Sequence, residues 1–230
     1  MTSIAILDYG MGNLRSVEKA LERVGARSQV TCDVESLRSA DGVILPGVGA
    51  FPKAMERIRE RHLDELIAER ARAGVPVLGI CLGMQLIFDS TTELGGAEGL
   101  GLIPGPVDSL DAGDLKVPHI GWSPVSWAKG SRLQAGMAPG EPFYFVHSFA
   151  PRPANEADIL GTADYGASFA CAVESGNVFG VQFHPEKSSG AGLRLLRNFA
   201  ALCATPAPAP DTPGSTTPGL RLRPSGSASE

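Results

Sequence analysis

The sequence predicts an α/β protein with a mixed, mostly parallel central sheet flanked by helices and additional antiparallel strands in its second half. Three observations support this prediction. Short apolar runs alternate with helical patterns up to about residue 88, and strand-like runs then follow one another with only turns between them. The chain of 230 residues is also 43% hydrophobic, which is enough to bury a full core in one compact unit.

In the first half, each predicted strand precedes a predicted helix. Strand-like runs lie at residues 3–7, 42–46 and 75–80 (SIAIL, GVILP and VPVLGI). Each is followed by apolar residues spaced for one helical face. These residues are Leu14, Val17, Leu21 and Val24, then Met55, Ile58, Leu63, Leu66 and Ile67, and finally the run MQLIF. The repeated β-α order predicts parallel strands.

The second half carries strands separated by turns. SPVSW, PFYFVHSF, SFACAV and NVFGVQF lie between residues 101 and 183, with turn signals such as APGE and ESGN. A last helix is predicted from about residue 190 to 203, with its inward face formed by Leu193, Leu196, Phe199 and Leu202. We therefore expect a domain at residues 1–203 and, because residues 204–230 are rich in Pro, Ser, Thr and Gly, a disordered tail.

Composition argues against several classes of function. The net charge is −5, and no cluster of Lys and Arg with interleaved aromatic residues suggests nucleic-acid binding. No apolar run reaches the roughly 18 to 20 residues that span a bilayer, and no secretory signal is evident, so we expect a cytoplasmic protein. The four cysteines form no CxxC pair and no zinc-like spacing with histidine, which argues against a structural metal or disulfides.

Cys81 differs from the other cysteines because glycines flank it. In GICLGMQLIF (79–88), Gly79 and Gly83 give the pattern G-x-C-x-G between a predicted strand and a predicted helix, similar to a nucleophile elbow. A helix N-terminus favours the nucleophilic thiolate. The alternative is a buried core thiol, which is our interpretation of Cys32, Cys171 and Cys203. The paired glycines favour a nucleophile at Cys81.

A nucleophilic thiol needs a base and a group that orients the base. In VQFHPEKS (181–188), His184 ends an apolar run and Glu186 follows two residues later. Alone, this segment fits a solvated surface loop. Together with Cys81 it predicts a catalytic pair, since adjacent strands of an α/β sheet end at one ligand-binding edge.

Two glycine-rich segments follow predicted strands. PGVG (46–49) could direct backbone N–H groups, together with that of Leu82, at a developing oxyanion, although an ordinary turn is the alternative. GMGN (10–13) lacks the G-x-G-x-x-G spacing and the lysine of a phosphate loop, so it predicts a loop that opens a helix.

Together, CLGMQ, PGVG and HPE resemble the class I, triad-type glutamine amidotransferases. ILDYGMGNLRSV, LPGVGAFPKAM, PHIGWSPV and YFVHSF extend the resemblance to the glutaminase subunits of imidazole glycerol phosphate synthases, over about residues 3 to 203. The resemblance implies the class I glutamine amidotransferase (flavodoxin-like) fold and no metal or organic cofactor.

The resemblance also implies roles for individual residues. Cys81 would attack the side-chain amide of glutamine, forming a γ-glutamyl thioester and releasing ammonia, with His184 as general acid and base and Glu186 as its orienter. The implied substrate contacts are Gly49, Gln85, Ser148 and Phe149, and the implied oxyanion positions are Val48, Gly49 and Leu82. Ammonia would pass to a (β/α)8-barrel cyclase subunit, which forms imidazole glycerol phosphate and aminoimidazole carboxamide ribotide in histidine biosynthesis.

Asn13, Trp122 and Lys187 match the side of this family that faces the cyclase in a heterodimer. The alternative role is a helix cap for Asn13, a core residue for Trp122 and a solvated loop charge for Lys187. Ser123 follows GW where the family often has Asn, which bears on a local interface contact.

Three other functions remain open from the sequence. The glutaminase of another amidotransferase typically has His in place of Met84 and lacks YGMGN. A noncatalytic regulatory module would be expected to have lost part of the triad. A free-standing cysteine hydrolase would not need a partner.

Overall fold

The first half of the chain forms a parallel sheet with helices between its strands. The structure, a computed structural model, describes residues 2–128 and 130–205. Its elements begin with β1 (Ser3–Leu7), α1 (Leu14–Arg23), β2 (Arg27–Thr31), α2 (Val34–Ser39), β3 (Gly42–Gly47), α3 (Phe51–Arg59), α4 (Leu63–Arg72), β4 (Val77–Cys81) and α5 (Leu82–Leu86). β1 pairs with β2 and β3, and β3 pairs with β4, all in parallel. The predicted β-α units are confirmed.

The second half adds mostly antiparallel strands and one long helix. They are β5 (Ser90–Thr91), β6 (Ala97–Glu98), β7 (Pro106–Ser109), β8 (His119–Pro124), β9 (Ser126–Trp127), β10 (Pro142–His147), β11 (Phe149–Pro151), β12 (Ile159–Tyr165), β13 (Ala167–Ser175), β14 (Val178–Val181) and α6 (Ser189–Cys203). Short 3-10 helices lie at Glu93–Gly95, Glu156–Asp158 and Pro185–Lys187. Of the predicted tail at residues 204–230, residues 206–230 lie outside the described residues.

The main sheet joins the two halves. Its strand order is β2-β1-β3-β4-β14-β13-β12-β9, and β14 runs parallel to β4 while β13, β12 and β9 continue antiparallel. β8 and β10 form a separate antiparallel ribbon, and β11, β7, β5 and β6 form a small third sheet. The mixed, mostly parallel α/β class predicted from the sequence is confirmed, and the pairing of β14 with β4 brings the two halves of the predicted site together.

Helices cover both faces of the central parallel strands β1, β3 and β4, which is why these three strands are largely apolar. Along β1, Ile4 and Ile6 join a core cluster with α1 and α6, whereas Ala5 and Leu7 join a second cluster with α2, α3 and α4. Successive side chains of a strand point to opposite faces, so burial on both sides requires an unbroken apolar run. Every residue of β3 and β4 is accordingly buried.

Several boundaries differ from the prediction. β2 and α2 lack a clear sequence signal, because β2 is an edge strand of sequence RSQVT and α2 has only 6 residues. The helical pattern after β3 divides into α3 and α4 at His62, whose φ of 54° interrupts a helix. On α6, Leu196, Phe199 and Leu202 are buried as predicted, while Leu193 is only partly buried.

Candidate active site

Cys81 lies at the turn from β4 to α5. Its backbone has φ 54° and ψ −111°, a conformation that side-chain-bearing residues rarely adopt. A strained residue between a strand and a helix is the geometry of a nucleophile elbow, which exposes the side chain above the end of the sheet. The turn expected at GICLGMQLIF is therefore present.

The two glycines that flank Cys81 allow close packing at the turn. A Cβ atom on Gly79 would lie 2.5 Å from the carbonyl oxygen of Gly83, and one on Gly83 would lie 1.7 Å from that of Leu45. Neither glycine has a positive φ. The glycines thus let α5 approach β3 and β4 closely, whereas Cys81 itself takes the strained conformation of the turn.

His184 and Glu186 form a buried pair just after β14, the strand next to β4. Nδ1 of His184 lies 2.8 Å from Oε1 of Glu186, and their side chains are only 2% and 1% exposed. Ser188 donates its hydroxyl to the His184 carbonyl oxygen at 2.6 Å and accepts the N–H of Tyr144, which ties this turn to β10. The pair is therefore held rigidly where β14 ends, beside the end of β4.

The environment of His184 favours its protonated form. Burial alone would lower the pKa of His184, but its interactions with Cys81 and with Glu186 outweigh burial and raise the pKa to about 9. Nε2 of His184 has no hydrogen-bond partner among the described residues, although Cys81 lines the same cavity. This nitrogen is thus free to exchange a proton with the sulfur or with a substrate.

One cavity of about 310 Å³ brings the predicted residues together. Cys81 and His184 line it, as do all of the predicted substrate and oxyanion positions, namely Val48, Gly49, Leu82, Gln85, Ser148 and Phe149. Glu93, Pro118, Val146 and His147 also line it, although they are not among the site residues that the sequence predicts. Pro118, Val146 and His147 lie within PHIGWSPV and YFVHSF, two of the stretches that carry the family resemblance. That resemblance was therefore the sequence signal that could have identified them as site residues.

The segment expected to form an oxyanion turn is shorter than predicted. Pro46 and Gly47 continue β3, so only Val48 and Gly49 form the turn, and Gly49 has φ 106°. Tyr9 donates its hydroxyl to the Pro46 carbonyl oxygen at 2.8 Å, and burial raises the pKa of Tyr9, so it remains a donor. Through this bond Tyr9 anchors the end of β3, just before the turn at Val48 and Gly49. Tyr9 directly precedes the GMGN loop, and that loop leads into α1, as predicted.

A buried chain of hydrogen bonds runs from the β8–β10 ribbon to the cavity. The hydroxyl of Ser123 lies 3.0 Å from Nε2 of His119, and Nδ1 of His119 lies 3.1 Å from Nε2 of His147. Nδ1 of His147 donates to the Phe149 carbonyl oxygen at 2.9 Å. Burial lowers the pKa of His147 to about 4 and also lowers that of His119, so both rings are neutral near pH 7.

The three residues predicted to face a partner lie at the surface of the protein. Trp122 is 52% exposed and packs edge to face on Tyr144, and Nζ of Lys187 lies 5.8 Å from the centre of the same ring. Asn13 is exposed and makes no side-chain capping bond. The alternative of a core tryptophan is therefore wrong, whereas Asn13 does occupy the N-cap position of α1, where its backbone carbonyl oxygen accepts the N–H of Val17. Ser123 is buried beneath the ribbon, so the structure does not place its side chain at the surface beside Trp122.

Over residues 2–128 and 130–205, no group of His, Cys, Asp and Glu side chains is arranged to hold a metal ion. Within the same ranges, no helix combines the length and apolar character needed to cross a bilayer.

Known proteins resemble this chain in sequence and in fold. The family model for class-I glutamine amidotransferases matches residues 5–203. The imidazole glycerol phosphate synthase subunit HisH of Moorella thermoacetica is 52% identical over 202 residues, which are 88% of this chain and 96% of that protein. The subunit of the same name from Bacillus cereus is 50% identical over 196 residues, 85% of this chain and 93% of that protein.

Solved structures resemble the fold at lower sequence identity. The structure of PurLQS from Thermotoga maritima has a TM-score of 0.70 and 21% identity, covering 87% of this chain and 98% of that chain. A glutamine amidotransferase from Thermotoga maritima has a TM-score of 0.65 and 15% identity, covering 89% of this chain and 99% of that chain. At these identities the likeness supports the fold alone.

Proposed function

This chain belongs to the class-I glutamine amidotransferase family, and from that premise we propose that it is the glutaminase subunit of imidazole glycerol phosphate synthase in histidine biosynthesis. It hydrolyses glutamine to glutamate and ammonia. The observation that carries this proposal is the meeting of three residues at adjacent strand ends: Cys81 on its strained turn, and the buried pair of His184 and Glu186, at one cavity.

The geometry supports a thioester mechanism with His184 as the proton carrier. The Cys81 thiol gives its proton to Nε2 of His184, and the resulting thiolate attacks the side-chain amide carbon of glutamine. Glu186 accepts the Nδ1–H bond and stabilises the imidazolium, as the high pKa of His184 indicates. His184 then protonates the leaving nitrogen, so ammonia departs and a γ-glutamyl thioester remains. Water, deprotonated by His184, hydrolyses the thioester to glutamate and restores the thiol.

The cavity walls supply the other groups that this reaction needs. We assign the backbone N–H groups of Val48, Gly49 and Leu82 to the oxyanion that develops on the amide oxygen. The first N–H groups of a helix are unpaired within it, so that of Leu82, at the start of α5, is suited to this role. Gly49, Gln85, Ser148 and Phe149 are assigned to glutamine binding, which their positions around the cavity support.

The partner in this proposal is the cyclase subunit of the same enzyme, a (β/α)8 barrel that receives the ammonia in a heterodimer. It uses the ammonia to form imidazole glycerol phosphate and aminoimidazole carboxamide ribotide. We assign Asn13, Trp122 and Lys187 to the docking face, and residues 1–203 to the glutaminase domain. All four cysteines are free, as is usual in a reducing compartment, and we infer that the enzyme works in the cytoplasm.

Reconstitution tests the proposed function. The purified chain is mixed with a candidate cyclase subunit, glutamine and the phosphoribulosyl formimino substrate, and both imidazole glycerol phosphate and glutamate are measured. We expect the two products to appear in equal amounts, with little glutamate formed by the isolated chain. Full glutaminase activity without the cyclase would favour a free-standing hydrolase, and activity only with another synthase, such as one for anthranilate, would favour a different amidotransferase.

A further inference from the structure

We propose that Gln182 is a further catalytic residue, one whose side-chain amide N–H donates to the Cys81 sulfur and stabilises it whenever the sulfur carries negative charge. This inference rests on the proposed function and deepens it. Gln182 follows β14 and is fully buried, and its Nε2 lies 3.7 Å from Sγ of Cys81, which is 101 residues away along the chain. The contact is with the reacting atom itself.

The orientation of the Gln182 amide follows from its neighbours. Gln85 lies 3.0 Å from the backbone carbonyl oxygen of Phe149, which only accepts hydrogen bonds, so the Gln85 atom that faces it must be the donor Nε2. The same Nε2 of Gln85 also donates to the side-chain amide of Gln182 at 3.0 Å. The Gln182 atom that faces it must therefore be the acceptor, Oε1. Nε2 of Gln182 is therefore left to face the sulfur.

Because Gln182 is the donor of the hydrogen bond to Cys81, this bond favours the negatively charged state of the sulfur. An N–H donor stabilises a charged acceptor about twice as strongly as a neutral one, so Gln182 favours the thiolate over the thiol. The sulfur is charged before it attacks glutamine and again when the thioester breaks, and it is uncharged in the thioester itself. Gln182 thus assists both the attack and the departure of the sulfur, while the proton travels only through His184.

A purely structural role is the alternative for a buried amide. In that case Gln182 would link β14 to α5 through the bond that Oε1 accepts from Gln85, and the N–H toward sulfur would have no chemical effect. Two substitutions separate the roles. Gln182→Glu keeps the acceptor for Gln85 and replaces the donor with a carboxylate, whereas Gln182→Met keeps similar length and removes both polar groups.

The test measures the reactivity of Cys81 with iodoacetamide across pH in the full chain, with the Cys81 peptide quantified by mass spectrometry because Cys32 is exposed and also reacts. Below the midpoint of the pH profile, we expect alkylation to be roughly tenfold slower in Q182M and slower still in Q182E. Gln29→Glu is the matched control, since it makes the same change on the exposed surface of β2 and is expected to leave the profile unchanged.

Q182M and the parent chain have the same titratable groups near the sulfur, whereas Q182E adds a carboxylate there. His184, His147 and Glu93 line the cavity, and Tyr9 interacts electrostatically with Cys81. A difference between Q182M and the parent chain is therefore due to the amide. A folded Q182M with the parent pH profile and only a lower melting temperature would establish the structural role and overturn the proposal.

A second measurement uses the parent chain and needs no substitution at Gln182. The side-chain N–H resonances of Gln182 are followed by NMR across pH, and we expect them to move with the same midpoint as Cys81 alkylation. Resonances that stay constant through that midpoint would overturn the proposal. Neither measurement uses glutamine or the cyclase, so failure of the proposed function in reconstitution is distinguishable from failure of this contact.

Discussion

Nδ1 of His119 lies 3.1 Å from Nε2 of His147, and the surroundings of this buried pair fix the tautomer of both rings. Because Nδ1 of His147 faces a carbonyl oxygen, it must carry hydrogen, which leaves Nε2 of the neutral ring as an acceptor. His119 must then donate from Nδ1 and accept from Ser123 at Nε2. The ring of His119 also stacks between Tyr165 and Phe145, with centroids 4.1 and 5.0 Å away. The chain of bonds works only while both histidines are neutral.

The first prediction concerns the pH dependence of stability. The pKa of His147 in the folded protein, about 4, lies below the ordinary value near 6.5, so the unfolded chain binds a proton first as the pH falls. The stability that depends on neutral His147 is therefore fully present above pH 6.5 and is lost as the pH falls from 6.5 to 4. For His147 alone, the free energy of unfolding decreases by about 3 kcal/mol over this range. Urea unfolding at several pH values measures this loss.

His147→Asn keeps a donor for the Phe149 carbonyl oxygen and removes the titrating ring. We expect its free energy of unfolding to change less between pH 6.5 and 4 than that of the parent. His62→Asn, at an exposed histidine in a left-handed conformation that asparagine tolerates, should keep the parent's pH dependence. An unchanged pH dependence in His147→Asn would show that this ring titrates equally in both states.

The second prediction concerns the nucleophile. Cys81→Ala should reduce glutamine hydrolysis by at least about three orders of magnitude, because no thioester can form. The reaction of the reconstituted complex with free ammonia should persist, since only the ammonia source is lost. Cys32→Ala, at an exposed cysteine, is the control and should retain both activities. Loss of the ammonia-dependent reaction in Cys81→Ala would indicate damage to the complex and argue against a purely chemical role.

The third prediction concerns the charge state of His184. Its ring resonances should titrate by NMR with a midpoint of about 9 in the parent chain. Glu186→Gln and Cys81→Ala each remove a partner that raises this pKa, so both should move the midpoint down toward the ordinary value near 6.5. Glu35→Gln on the exposed surface of α2 should leave it unchanged. A midpoint near 6.5 in the parent would contradict the inferred imidazolium.

The fourth prediction concerns the packing of the elbow. Gly83→Ala would place Cβ 1.7 Å from the Leu45 carbonyl oxygen, so the backbones of α5 and β3 must separate. We expect a loss of about 3 kcal/mol or more in the free energy of unfolding. Gly190→Ala is the matched control, because a Cβ there meets no atom within 4 Å and its φ is not positive. Equal stability of the two variants would disprove the close-approach explanation.

The sequence and the structure agree best where burial is uniform. β3 and β4 are buried along their whole length and β1 at every residue after Ser3, so the sequence alone predicts these apolar runs as strands. β2 is an edge strand with exposed polar residues, and its pairing with β1 depends on a neighbour that the local pattern does not reveal. The reason is physical, since a strand at an edge needs hydrogen bonds from one side only and no apolar run.

By itself, the sequence determined the α/β class, the elbow at Cys81 and the pairing of His184 with Glu186, because each depends on residues that are close along the chain. Only the tertiary structure decided the contacts of Gln182 with Cys81 and of His119 with His147, which join residues 101 and 28 positions apart. Such contacts follow from strand order and register. A local pattern encodes burial and backbone conformation, but the partner of a buried polar group is set by which strands become neighbours.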